Sequence, residues 1–118
     1  MKRINDVTYE VRTGEQITIR VTPTGFEGEL PSVEAVLDGK PLANSGSNDA
    51  PVFRFTVTKP IGKTHRVMME FTFLPGTPDE ACYKVSISGQ ADEGCPCGFE
   101  ICKADETKEV TIAFDVVS

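Results

Sequence analysis

Four cysteines carry most of the chemistry this chain could do: Cys82, then Cys95, Cys97 and Cys102 inside "GCPCGFEIC". Their spacing, C-x12-C-x-C-x4-C, is open to three readings. As thiolates they supply the four sulfurs that tetrahedral zinc accepts, although the C-x2-C knuckles of a strong zinc motif are missing. As disulfides they follow the habit of an even cysteine count in a short chain. A bridge across the single proline between Cys95 and Cys97 would be strained. Two pairings then remain, Cys82–Cys95 with Cys97–Cys102, or Cys82–Cys97 with Cys95–Cys102. Free thiols are the third reading. The disulfide framework is preferred, with a Cys82, Cys95, Cys97 and Cys102 zinc site in a cytoplasmic, protein-binding domain as the alternative. A redox catalyst is disfavoured, because a C-x-C pair on a loop lacks the helix N-terminus that lowers a thiol's pKa.

Other chemistry-bearing residues are sparse. The single histidine, His65, opens "HRVMMEFTF" with the parity of inward residues but at the strand's rim, so it is expected to cap the core edge. One histidine cannot build a His-rich metal centre, and no acid, base and nucleophile stand in a recognisable arrangement. "GFEGELPS" is too acidic to cradle phosphate, and no EF-hand pattern occurs. The expectation is a non-enzymatic protein without a cofactor, zinc entering only in the alternative. A second candidate site groups Phe26, on a Gly-flanked loop, with Asp49, Asp79 and Glu80, as one aromatic anchor in an acidic rim that would meet a protein or a carbohydrate. The competing and favoured expectation is that Phe26 folds back as a lid over the core.

Twelve Lys and Arg against 18 Asp and Glu give a net charge of −6, which repels phosphate backbones and anionic lipid headgroups. This argues against nucleic-acid partners. No apolar run approaches the roughly 18 residues that span a bilayer, so membrane insertion is not expected. The opening "MKRINDVTYEVRTGEQ" lacks the apolar stretch of a signal peptide. The expected location is extracytoplasmic or secreted if a leader was removed, and cytoplasmic otherwise.

The elements that must position these residues alternate with period two. Val7, Tyr9 and Val11 share one face, as do Ile17, Ile19 and Val21; Phe53, Phe55 and Val57; Val67, Met69, Phe71 and Phe73; Tyr83, Val85 and Ile87; and Ile112, Phe114 and Val116. "SVEAVLDGKPL" reads as a strand, an Asp38-Gly39 hairpin turn and a short return strand. Seven or eight strands at intervals of about ten residues, with no helix, predict one all-β domain over 1–118, a two-sheet antiparallel sandwich. The cysteine-rich segment 89–109 stands out as an excursion fastened to the outer face of the strand that begins at Cys82. With strands simply alternating up and down, the loops at 22–31, 43–51 and 75–81 gather at the end opposite that segment.

"TYEVRTGEQITIRVTP", "CYKVSISG" and the last strand "EVTIAFDVVS" resemble the opening and closing strands of immunoglobulin-like or fibronectin-III-like sandwiches, notably bacterial immunoglobulin-like modules. The chain departs from antibody-type domains in having no Trp and no cysteine pair spaced to bridge two sheets. The resemblance therefore implies a fold alone, with no core disulfide and no function carried over, because such sandwiches host many roles. The reading of the whole chain is a non-enzymatic binding or structural module with a disulfide-stapled loop.

Overall fold

Alternation is realised as nine strands in the computed structural model, which describes residues 6–89, 98–105 and 108–118. They are β1 (Asp6–Val11), β2 (Gln16–Thr24), β3 (Glu34–Leu37), β4 (Lys40–Leu42), β5 (Val52–Thr56), β6 (Thr64–Glu70), β7 (Cys82–Ser88), β8 (Gly98–Cys102) and β9 (Glu109–Val116). One sheet runs β1-β9-β6-β3-β4 and the other β5-β2-β7-β8. The fold is an all-β, two-sheet arrangement, with one strand more than the upper expectation. The extra strand is β8, which lies within the segment read as an excursion. Gly98 makes it possible: a side-chain carbon there would collide with the Val85 carbonyl on β7. One pair departs from the antiparallel expectation, since β1 runs parallel to β9, from Asp6 beside Thr111 to Val11 beside Val116. The strand of "CYKVSISG" lies between β2 and β8, not beside the last strand.

The inward faces follow the sequence parity. Ile17 and Ile19 on β2, Phe53 on β5, Tyr83 on β7, Val67 and Met69 on β6, and Ile112 and Phe114 on β9 are essentially sealed from solvent. Phe71, just beyond β6, is sealed as well. Each side chain of this size contributes roughly 1.5–3 kcal/mol on leaving water, which makes the shared interior the main source of stability. The Asp38-Gly39 turn also forms as read. Both residues have positive φ, 48° and 86°, the combination a two-residue type I′ hairpin requires.

Strand directions define two poles. Thr24, Cys82 and Cys102 end or begin their strands at one of them, together with the loops 25–33, 43–51, 71–81 and the short 3-10 turn Lys103–Asp105. Residues 12–15, the 38–39 turn and the loop 57–63 close the other, tied by bonds such as Gly14 N–H to the Val57 carbonyl and Val116 N–H to the Lys63 carbonyl.

On the outer face of the first sheet, near the first pole, Glu34 pairs with Glu70 and Glu70 with Glu109, all three exposed. Like charges directly opposite one another across strands destabilise a sheet. Glu70→Lys, which places a cation between two carboxylates, is therefore expected to raise unfolding stability by about 0.5–1 kcal/mol in urea titration. Added salt should stabilise the parent protein more than the variant. Equal stabilities would show that the three carboxylates splay far enough apart to ignore one another.

Candidate functional site

The pairing of β7 with β8 decides what the cysteines do. Alternation along β7 turns Tyr83 inward and leaves Cys82 on the outer side, half-buried. Across the ladder its register partner is Cys102. The Lys103 N–H donates to the Ala81 carbonyl at 3.0 Å, so the ladder bonds flank the cysteine pair and leave it in a non-hydrogen-bonded position, where opposing Cα atoms come closest. The Cα atoms are 4.0 Å apart, and the sulfurs are joined at 2.04 Å. This overturns both expected pairings, since Cys82 bonds neither Cys95 nor Cys97, and Cys102 does not bond Cys97 or Cys95. The reason is register: a strand at 98–102 was not part of the expectation, so the residue facing Cys82 was not foreseen. Cys95 and Cys97 lie outside the described residues.

With a sequence separation of 20, the bridge removes chain entropy worth about 3 kcal/mol. It is reinforced on the same pole by Lys103, whose Nζ donates to the Thr77 carbonyl. The Sγ atoms of Cys82 and Cys102 and a Glu100 carboxylate oxygen lie within 4.8 Å of one another, a set able to ligate a metal only with the bridge open. The four-thiolate zinc arrangement would likewise need Cys82 and Cys102 unjoined.

The loops 22–31, 43–51 and 75–81 do converge. Asn48 Nδ2 donates to the Leu30 carbonyl at 3.4 Å, and the Gly25 backbone lies against Glu80 and Ala81. They meet on the same pole as the Cys82–Cys102 bridge, however, not opposite it, because β8 brings the chain back along β7 from Ser86 to Cys82. Phe26 is half-buried. Its ring stacks on Phe73 at 5.8 Å and tilts against Tyr83 at 4.8 Å between centroids. Asp49, Asp79 and Glu80 are exposed on the neighbouring loops. The pole thus carries an acidic rim, while the aromatic face is turned to the core.

Tyr83 underlies this arrangement. It is sealed from solvent, and its hydroxyl donates to the Thr72 carbonyl at 2.9 Å. Burial pushes its pKa up to about 12.

At the opposite pole His65 caps the core edge, as its parity implies, and its partners come from other segments of the chain. Nδ1 lies 2.7 Å from Asp38 Oδ2, and Nε2 accepts the Thr58 N–H at 3.2 Å. Because Nε2 accepts, Nδ1 carries the proton and donates it to the carboxylate. Phe55 meets the ring edge-on at 5.4 Å. With 3% exposure and both nitrogens engaged, His65 offers neither a free base nor a metal ligand. Asp38 is held from three sides: its Oδ1 accepts the Arg66 N–H at 2.8 Å, and Lys59 Nζ stands 3.6 Å from Oδ2. Partial burial works to raise its pKa, but the Arg66 N–H, the His65 ring and the Lys59 charge outweigh it and hold the carboxyl below its ordinary value. An open depression of about 520 Å³ adjoins this cluster, lined by Leu37, Lys40, Leu42, Phe55 and Thr56 among others. The Asp38-Gly39 turn was legible in the sequence. The reach of its carboxylate to a histidine 27 residues away had no local signal.

No protein-family model, curated protein or solved structure matches this chain.

Two outcomes follow from the two poles. Because the folded state lowers the Asp38 pKa, its contribution to stability is present above the unfolded value of about 3.9 and is lost as pH falls through the folded value. Asp38→Asn keeps a residue tolerant of positive φ but removes the charge. Parent and variant should therefore differ at pH 7 and converge in acid, as read by urea midpoints across pH; a constant gap would remove the charge from the explanation. At the other pole, Phe26→Ala should cost about 1–3 kcal/mol, less than truncating a sealed Phe but well above a surface change. An unaltered melting temperature would mean that the ring closes nothing.

Proposed function

We propose that this protein is a non-enzymatic, immunoglobulin-like module that binds or builds through its cysteine pole, in an oxidising, extracytoplasmic setting. The observation that carries the reading is the convergence of three loops and a cross-strand disulfide on one pole of a two-sheet frame. Loops held by a rigid scaffold are where sandwiches place recognition. The strand order supports the immunoglobulin-like part. The pairings β2–β5, β3–β6 and β6–β9 follow the B–E, C–F and F–G pairings of that fold, with β1 along β9. The β7–β8 hairpin is then an insertion between the F-like and G-like strands, lying beside β2 where a first strand would stand.

A disulfide suits an oxidising compartment. Among the described residues, no helix is long and apolar enough to cross a membrane. The partner that fits exposed Asp49, Asp79 and Glu80 around a closed aromatic pole is a protein or a carbohydrate approached through polar contacts. The non-enzymatic reading draws support from His65, whose ring nitrogens are both committed to structural hydrogen bonds.

The test is a glycan and peptide array probed with the parent protein and with a variant carrying Asp49→Asn, Asp79→Asn and Glu80→Gln. Binding by the parent, lost in a variant of unchanged melting temperature, is the expected result. Equal binding by both, or no binding to either array, would overturn the placement of the surface. Intact mass of the unreduced protein addresses the zinc alternative. A loss of two or four hydrogens relative to the reduced chain agrees with the disulfide reading, whereas a bound zinc on four reduced thiols would replace it.

A further inference from the structure

We propose that opening the Cys82–Cys102 bridge creates a three-ligand site for a thiophilic divalent cation of the zinc class, built from Cys82, Cys102 and Glu100. This site is distinct from a four-cysteine centre and needs neither Cys95 nor Cys97. Its geometry follows from the sheet. Glu100 and Cys102 are two residues apart on β8 and so project from the same outer face, and Cys82 faces Cys102 directly across the ladder. The three ligand atoms already lie within 4.8 Å of one another.

A tetrahedral zinc with sulfurs at about 2.3 Å needs them about 3.8 Å apart. Once the bridge is open, side-chain rotation at the two facing cysteines lets their sulfurs reach that spacing. Glu100 contributes a carboxylate oxygen, which zinc accepts at about 2.0–2.2 Å. The fourth position stays open to water or a ligand, as in zinc sites with three protein donors. Among the described residues, no strand pairs with the far side of β8, and Glu100 is exposed, so both a reductant and a cation can reach the cluster.

The chemistry balances with a dithiol reductant. One of its thiolates attacks a bridge sulfur, and the mixed disulfide is resolved by its second thiol. Two electrons and two protons pass to Cys82 and Cys102, and the reductant leaves as its own disulfide. Binding of the cation then releases the two thiol protons. Bridge and cation compete for the same two sulfurs, so the oxidised protein holds a staple and the reduced protein holds a metal.

The experiment uses the full chain with Cys95→Ser and Cys97→Ser, reduced with a phosphine and titrated with Co(II) alone. The expected result is one cobalt per chain with a thiolate charge-transfer band, displaced by zinc. Adding Glu100→Gln should weaken affinity about tenfold or more, and adding Cys102→Ser should abolish the band. No band, an unchanged affinity in Glu100→Gln, or equal binding by the oxidised protein would overturn the proposal. So would binding that appears only when Cys95 and Cys97 are present. A second measurement covers failure of the reduced variant to fold. The unmodified chain is equilibrated in a glutathione buffer with and without zinc, then alkylated and mapped by mass. Zinc should raise the reduced fraction of both Cys82 and Cys102, and no change would overturn the site.

Discussion

Two adjacent positions on β7 organise most of this molecule. The backbone of a strand sends successive side chains to opposite faces, so Tyr83 and Cys82 cannot both enter the core. Tyr83 goes in, and with it a hydroxyl whose burial without a partner would cost about 1–3 kcal/mol. The Thr72 carbonyl, on the segment leaving β6 in the opposite sheet, satisfies it. That bond fixes the distance between the two layers at one pole. Around the ring, Phe26, Phe71 and Phe73 complete an aromatic cluster with centroids 4.8–5.3 Å from Tyr83. Cys82, sent outward by the same alternation, is left with Thr24 of β2 on one side and Cys102 of β8 on the other, and the sulfur is on the β8 side.

The two poles are closed by different physics. At the cysteine pole, rings pack over the core while a covalent bond holds the edge strand. At the other, Phe55 and Phe114 meet at 5.3 Å beneath a polar cap in which His65 joins the Asp38 turn to the backbone at Thr58. A buried imidazole is tolerable there because each nitrogen has a partner. The cap draws on the first sheet and on the loop leaving β5 in the second, so it does at one end what Tyr83 does at the other.

The core was legible because burial follows parity: Ile19, Phe53, Phe71, Tyr83 and Phe114 all face inward as their alternation implies. The outward placement of Cys82 was legible for the same reason. Its partner was not. Phe99 and Ile101 alternate with Glu100 and Cys102 as any half-buried strand does, but the signal is only five residues long and sits among cysteines that invited a loop reading. Once β8 is a strand, register alone puts Cys102 opposite Cys82. The parallel run of β1 on β9 was equally hidden, since alternation says which face is buried and nothing about the neighbour or its direction. Contacts such as Asp38 to His65 belong to the same class, produced by the meeting of distant segments.

The parallel run of β1 along β9 also governs how the domain carries tension. The start of β1 lies at the cysteine pole and the end of β9 at the other. A pull applied to those two points acts along the strands in opposite directions, so the evenly spaced bonds from Asp6–Thr111 to Val11–Val116 are loaded together in shear. An antiparallel hairpin pulled from its open end yields one bond at a time. Here the six registered pairs would share such a load, so resistance along this direction grows with the length of the shared run.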